Sequence, residues 1–174
     1  MSEDFVEQPE APVDEIRFWE MIEIAWQTVG GKLKVRQKLI DRKLSEEKAE
    51  ALLESLEEVI PALREQLGVL SAAELLAFDR ILEKKLYEID RAEIQEYTDG
   101  SDDGFLYARG FVVAAGKGYY DAVNAKPSVA LMDLECEEMC YLSWHIHNEK
   151  FGDVPQSGIS RETGSNKAGW PDLV

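Results

Sequence analysis

Apolar positions recur along this chain at intervals of three and four, and no segment keeps the two-residue alternation of a half-buried strand. The clearest stripe is Ala49, Leu52, Leu53, Leu56, Ile60, Leu63, Leu67 and Leu70, with charges between them and Ser45 in the N-cap position. Pro61 removes one helical hydrogen bond and disfavours α geometry at Ile60, so a kink or break is expected there, with Gly68 as the stop. Upstream, Asp14 caps a segment from Ile16 to Trp26 that is apolar nearly all round and closes at Gly30-Gly31, the mark of a core helix. Lys32 to Lys43 holds six of the 19 basic residues and reads as a short surface helix, its charges solvated or paired with nearby carboxylates. Ser71 with Glu74 forms a capping box that opens a third long helix over about 72–90. After the turn Asp99-Gly100-Ser101, helices are predicted over about 103–115, around Tyr119, Tyr120 and Val123, and from Pro127-Ser128 over about 129–149.

The predicted fold class is therefore all-α: a single compact domain of five or six helices with irregular loops. Residues 1–13, with Pro9 and Pro12, are expected to form a disordered acidic leader, 14–151 the helical domain, and 152–174 an irregular tail that Trp170-Pro171 anchors. A chain of 174 residues is long enough to bury a core without staples.

Charge changes the picture more than length does. With 35 Asp and Glu against 19 Lys and Arg, the formal charge at pH 7 is −16. That argues against nucleic acid and anionic membranes as partners, because phosphate binding depends on Lys and Arg. It would steer a basic protein partner instead. No apolar run approaches the about 18 residues of a membrane span. The acidic start lacks the basic and apolar regions of a secretory signal, and two cysteines four apart make no disulfide framework, so a cytoplasmic location is expected.

Certain runs are more specific. Phe18-Trp19, Ala77-Phe78-Asp79-Arg80, Gly100-Ser101-Asp102-Asp103-Gly104-Phe105, Tyr107, Arg109-Gly110, Ala115-Gly116-Lys117 and Tyr119-Tyr120 together resemble a bacterial family, domain of unknown function 4240. The resemblance covers roughly 15–135, and its most specific part is the Ser-Asp-Asp-Gly-Phe run. It implies a fold and carries no established activity, and so no catalytic residues.

Three constellations could carry chemistry. Asp102 and Asp103 at a helix start suggest a cation site, but a divalent ion needs further oxygen ligands, and capping of the helix by Ser101, Asp102 or Asp103 is the simpler account. On a wheel of about 100° per residue, Asp79 and Arg109 each fall about 40° from the centre of an apolar stripe, so both are expected to be buried. Buried charges need partners, and the economical pairing is Asp79 with Arg109, with Asp102 or Asp103 as the alternative partner for Arg109. Cys136, Cys140 and His147 share one helix face, with His145 opposite. A zinc site would need a fourth ligand, and the companions Met132, Met139 and Trp144 read as core. No metal or cofactor is expected, and no nucleophile elbow, phosphate loop or dinucleotide fingerprint is present.

The sequence thus points to a small acidic cytoplasmic protein-binding domain without catalytic activity. Its concrete form is an immunity-type or inhibitory protein that occludes a basic toxin or enzyme. The densest acidic run, Asp133, Glu135, Glu137 and Glu138, is the candidate partner face, with Glu135 and Glu138 in solvent beside exposed Leu131 and Leu142. The alternative is an enzyme or small-ligand domain with a polar pocket around Asp79, Asp102, Asp103 and Arg109.

Overall fold

The structure is a computed structural model that describes residues 13–171; all of the expected leader except Val13 lies outside that range. Val13 itself is buried. Among the described residues there are eight α-helices and three single 3-10 turns, and no strand, so the all-α class stands while five or six helices is an undercount.

Most helix starts are where the caps place them. Helix α1 (Glu15–Trp26) begins on Asp14, whose carboxylate accepts from the Arg17 amide at 2.9 Å. It passes through a 3-10 turn at Gln27–Val29 and stops at Gly30 and Gly31, both at positive φ, where glycine has no steric cost. Helix α2 (Leu33–Ile40) lies in the basic stretch. Its lysines face solvent, but Arg36 is buried on Trp26, 4.6 Å from the ring centroid, and grips Glu23 with two bonds of 2.7 Å.

Helix α3 (Glu46–Gly68) is capped by Ser45 and runs through Pro61 without the expected break. Pro61 sits on the exposed side, so the Glu57 carbonyl that loses its donor faces water. On the opposite side Leu52, Leu56, Val59, Ile60, Leu63 and Leu67 are buried, which holds the helix together across the proline. Helix α4 (Ala72–Glu88) opens on the complete Ser71–Glu74 capping box. A four-residue turn α5 (Ala92–Gln95), helix α6 (Asp102–Ala114) capped by Ser101, and helix α7 (Lys117–Ala125) follow.

The last helix, α8 (Glu137–Phe151), starts eight residues later than the sequence pattern predicts. Pro127–Val129 makes only a 3-10 turn, Asp133 adopts a left-handed φ of 62°, and the Cys136 amide donates to Tyr107 O at 2.9 Å. That bond ties the segment to α6 and keeps it out of the helix.

Helix α8 is the centre of the packing: α4 and α6 lie against it most closely, α3 takes a further side, and α1 covers α3. Phe18 of α1 meets Phe78 of α4 with ring centroids 4.6 Å apart, and the Trp26 indole donates to Ala114 O at 2.7 Å. The α6–α8 approach is tight at Gly110, where an added Cβ would stand 2.4 Å from Cys136 O and 2.7 Å from Cys140 Sγ. Gly110→Ala should therefore destabilise by about 1–3 kcal/mol, the usual scale of overpacking. A denaturation midpoint shifted down at unchanged slope is the expected readout.

Beyond Gly152 the chain has no regular structure except a 3-10 turn at Lys167–Gly169. This tail is nonetheless held to the helices at several points. Arg80 donates to Pro155 O, Ser157 to Glu83, and the Trp170 ring packs edge-on against Phe105 at 5.9 Å.

Candidate functional site

Asp79 and Arg109 are both fully buried, as their wheel positions require, but they do not pair with each other. Each is matched by a group that a wheel drawn helix by helix does not contain. Arg161, from the tail, inserts between α4 and α8 and bonds Asp79 through Nη1 at 3.3 Å and Nη2 at 3.0 Å. The same Nη2 reaches Glu83 at 3.1 Å, and Nη1 also donates to Cys140 O at 2.8 Å. Tyr141, the next residue, departs from helical geometry (φ −131°, ψ 16°) at that point. Ser143 Oγ completes the cluster by donating to Asp79 at 2.8 Å. Burial works against the Arg161 charge, yet Asp79 and Glu83 outweigh it and raise its pKa.

Arg109 belongs to a second cluster. Its Nη1 donates to Leu86 O at 2.9 Å and Arg161 O at 2.8 Å, and its Nη2 donates to Thr163 Oγ1 at 3.2 Å. Asp90, fully buried, stands 4.0 Å from Nη2, and the guanidinium lies 4.8 Å from the Phe105 ring centroid. Burial pulls the Arg109 pKa down, and Asp90 opposes it. Asp90 in turn accepts from the tail, from the amides of Gly164 at 3.1 Å and Asn166 at 2.9 Å and from the Trp170 indole at 2.9 Å.

Asp102 and Asp103 are exposed in the first turn of α6, where negative charge suits the helix dipole. The Asp102 backbone carbonyl touches the second cluster by accepting from Thr163 Oγ1 at 2.6 Å; neither carboxylate takes part. The predicted polar set therefore does not converge on one pocket. Asp79 and Arg109 hold the tail, and Asp102 and Asp103 face water.

Cys136 and Cys140 are buried, and burial pushes both thiols up to about 12, so they are poor nucleophiles at neutral pH. His147 is buried with Nδ1 2.9 Å from Gly152 O, and His145 is exposed beside Trp144. Met132, expected with the core, lies before the helix and is exposed. Among the described residues no three His, Cys, Asp or Glu are grouped to hold a metal ion.

The acidic run forms a ledge with the outer side of α3. Asp133, Glu137 and Glu138 are exposed, whereas Glu135 is half-buried. Burial, then the adjacent Asp99, Asp133 and Glu137 carboxylates, push the Glu135 pKa above its ordinary range. Asp99 keeps its charge because the Ser101 amide and hydroxyl both donate to it at 2.7 Å. Leu142 is buried and Leu131 half-buried, so neither is the exposed aliphatic that the sequence suggests. Apolar floor comes instead from two clefts: one of about 500 Å³ over Leu53, Leu56 and Ile60, and one of about 540 Å³ over Leu53, Leu131 and the exposed Met132. Among the described residues no ion pair engages Asp99, Asp103, Asp133, Glu135, Glu137 or Glu138.

A family model described as a protein of unknown function, DUF4240, matches residues 38–149, which is more than half of the chain. The chain belongs to the DUF4240 family. No curated protein and no solved structure matches it. The DUF4240 match contains Asp79, Glu83, Asp90, Arg109, the Ser-Asp-Asp-Gly-Phe run and the acidic ledge, and it ends before Arg161. Phe18-Trp19 lies outside it, and the match extends through most of α8, further than the resemblance at about 15–135 implies. Sequence reasoning missed Glu83, Asp90 and Arg161. One signal for the last was available: Arg161 and Lys167 are the only cations after residue 152, and a buried Asp79 needs one.

Proposed function

We propose that this DUF4240 chain is a non-catalytic protein-binding domain that takes a basic partner on its acidic ledge, in the manner of an immunity-type or inhibitory protein of the cytoplasm. The observation that carries the reading is the crowding at Glu135, a half-buried carboxyl among Asp99, Asp133 and Glu137. An incoming Lys or Arg would remove that repulsion, and the neighbouring apolar clefts would accept the side chains around it, giving an apolar centre with a charged rim. A reading as an enzyme at Asp79 and Arg109 has less support, since those side chains are engaged in holding the tail.

The test uses the full chain and its Glu135→Lys/Glu138→Lys variant as baits in native cell extract. The variant should keep its melting temperature, because the ammonium introduced in place of the Glu135 carboxyl would face Asp99. A basic protein retained by the wild type should be lost from the variant. With that protein purified, the association rate should fall at least about tenfold as the Debye length shrinks from about 10 Å at 0.1 M salt to about 3 Å at 1 M. A partner whose on-rate ignores both salt and the reversals overturns the ledge.

A pH dependence follows with a fixed sign. In the free protein the Glu135 pKa is raised, and a bound cation would lower it, so binding is linked to loss of a proton. Affinity should strengthen as pH rises through the acid range and level off near neutrality. Titration calorimetry in that range would measure it, and Glu135→Gln should flatten the profile.

A further inference from the structure

On the side of the molecule where Arg161 enters, the tail bridges α4 and α8 over a cleft of about 790 Å³, within the usual size of a small-molecule site. Its base is the Asp79–Arg161–Glu83 cluster, in which one guanidinium spans both carboxylates at 3.0 and 3.1 Å and Arg80 stands 3.6 Å from Glu83 as the second cation. Its remaining walls carry Arg80, Tyr87, Trp144, Ser165 and Lys167.

Two properties set this cleft apart from the rest of the protein. Asp79 and Glu83 stand against Arg80, Arg161 and Lys167, so the lining carries one net positive charge on a chain of −16. Second, its free polar groups can all donate. Among the described residues, the Trp144 indole N–H, the Tyr87 and Ser165 hydroxyls and the Lys167 ammonium make no hydrogen bond or ion pair. The hydroxyl of Tyr141 is engaged by Glu162, leaving its ring as wall. Trp144 is half-buried, so its ring is held in place yet reachable. Donors and cations next to fixed aromatic faces select an acceptor-rich anion with a flat ring.

We infer that this cleft binds a small aromatic anion, a planar ring bearing a phosphate or a carboxylate, with the ring against Trp144 and the anionic group among Lys167, Arg80 and the free donors. A nucleoside monophosphate and an aromatic carboxylic acid share that chemistry. The site is separate from the acidic ledge, so its failure would leave the partner-binding proposal untouched.

The test is titration calorimetry on the full chain with four probes: adenosine monophosphate, 4-hydroxybenzoate, adenosine and inorganic phosphate. At least one of the first two should bind with Kd below about 1 mM, and at least about tenfold more tightly than adenosine or phosphate. Binding of the nucleotide alone assigns the phosphate source, binding of the benzoate alone the carboxylate source, and binding of both the shared chemistry. Lys167→Glu, at an exposed position, should keep the melting temperature and weaken the bound probe at least tenfold. Quenching of Trp144 emission should accompany binding and vanish in Trp144→Phe. Absence of binding by both aromatic anions, equal binding by adenosine, or an affinity indifferent to Lys167→Glu would overturn the assignment.

Discussion

Arg161→Leu is expected to bring the protein close to its unfolding limit. Among the described residues, the substitution leaves Asp79 fully buried with only Ser143 Oγ as donor, and it leaves Glu83 with Ser157 and the more distant Arg80. Removing one partner of a buried ion pair costs about 3–5 kcal/mol, against a total stability of about 5–15 kcal/mol. For a chain of this size that corresponds to a melting temperature lower by roughly 6–20 °C. Removing the carboxylates as well, in Arg161→Leu/Asp79→Asn/Glu83→Gln, should recover a large part of the loss, since no uncompensated charge then remains. The single variant should also gain stability on acidification. A buried carboxylate without its cation has a raised pKa in the folded state, so protonation as pH falls favours folding. Thermal unfolding of the three proteins across pH checks each step. A single variant that melts within about 2 °C of the parent would mean that the cluster holds little.

How much of this was legible in the sequence depends on the range of the interaction. Ser45, Ser71, Ser101 and Asp14 cap helices because a side-chain oxygen reaches an amide three residues on, and the residue types alone reveal that. The wheel positions of Asp79 and Arg109 reveal their burial for the same local reason. Their partners were not legible. Arg161 lies 82 residues from Asp79 in a segment without periodicity, and Asp90 sits past the end of α4, where a wheel no longer applies. Pro61 shows the converse. Its local rule predicts a break, but burial of Val59, Ile60 and Leu63 around it and water on its own side override the rule. At the candidate ledge the charge run itself was readable. The crowding of Glu135 against Asp99 was not, since only the fold brings residues 36 apart in sequence together.

The same logic makes the tail part of the folding unit, and ending the chain after Gly152 should abolish cooperative folding. Without residues 153–171, Asp79 loses Arg161, and Asp90 loses the Gly164, Asn166 and Trp170 donors. Arg109 loses Arg161 O and Thr163 Oγ1. Its Nε already has no hydrogen-bond partner among the described residues, so Leu86 O, the Phe105 ring and Asp90 at 4.0 Å are left to offset its charge. Three charges would then sit in or at the edge of the core, while the Phe105 face covered by Trp170 would open to water. Water would enter where the tail had lain, at the junction of α4, α6 and α8, which is the centre of the fold. Several losses of this kind together exceed the about 5–15 kcal/mol that a domain has in reserve. The truncated chain should keep helical far-ultraviolet dichroism, lose near-ultraviolet dichroism, and bind a hydrophobic dye, the behaviour of a collapsed state without fixed packing. Adding residues 153–171 as a free peptide should restore the near-ultraviolet signal, and Arg161→Leu in that peptide should block the rescue. A truncated chain with a sharp melt near that of the parent would show that the helices satisfy these charges by themselves.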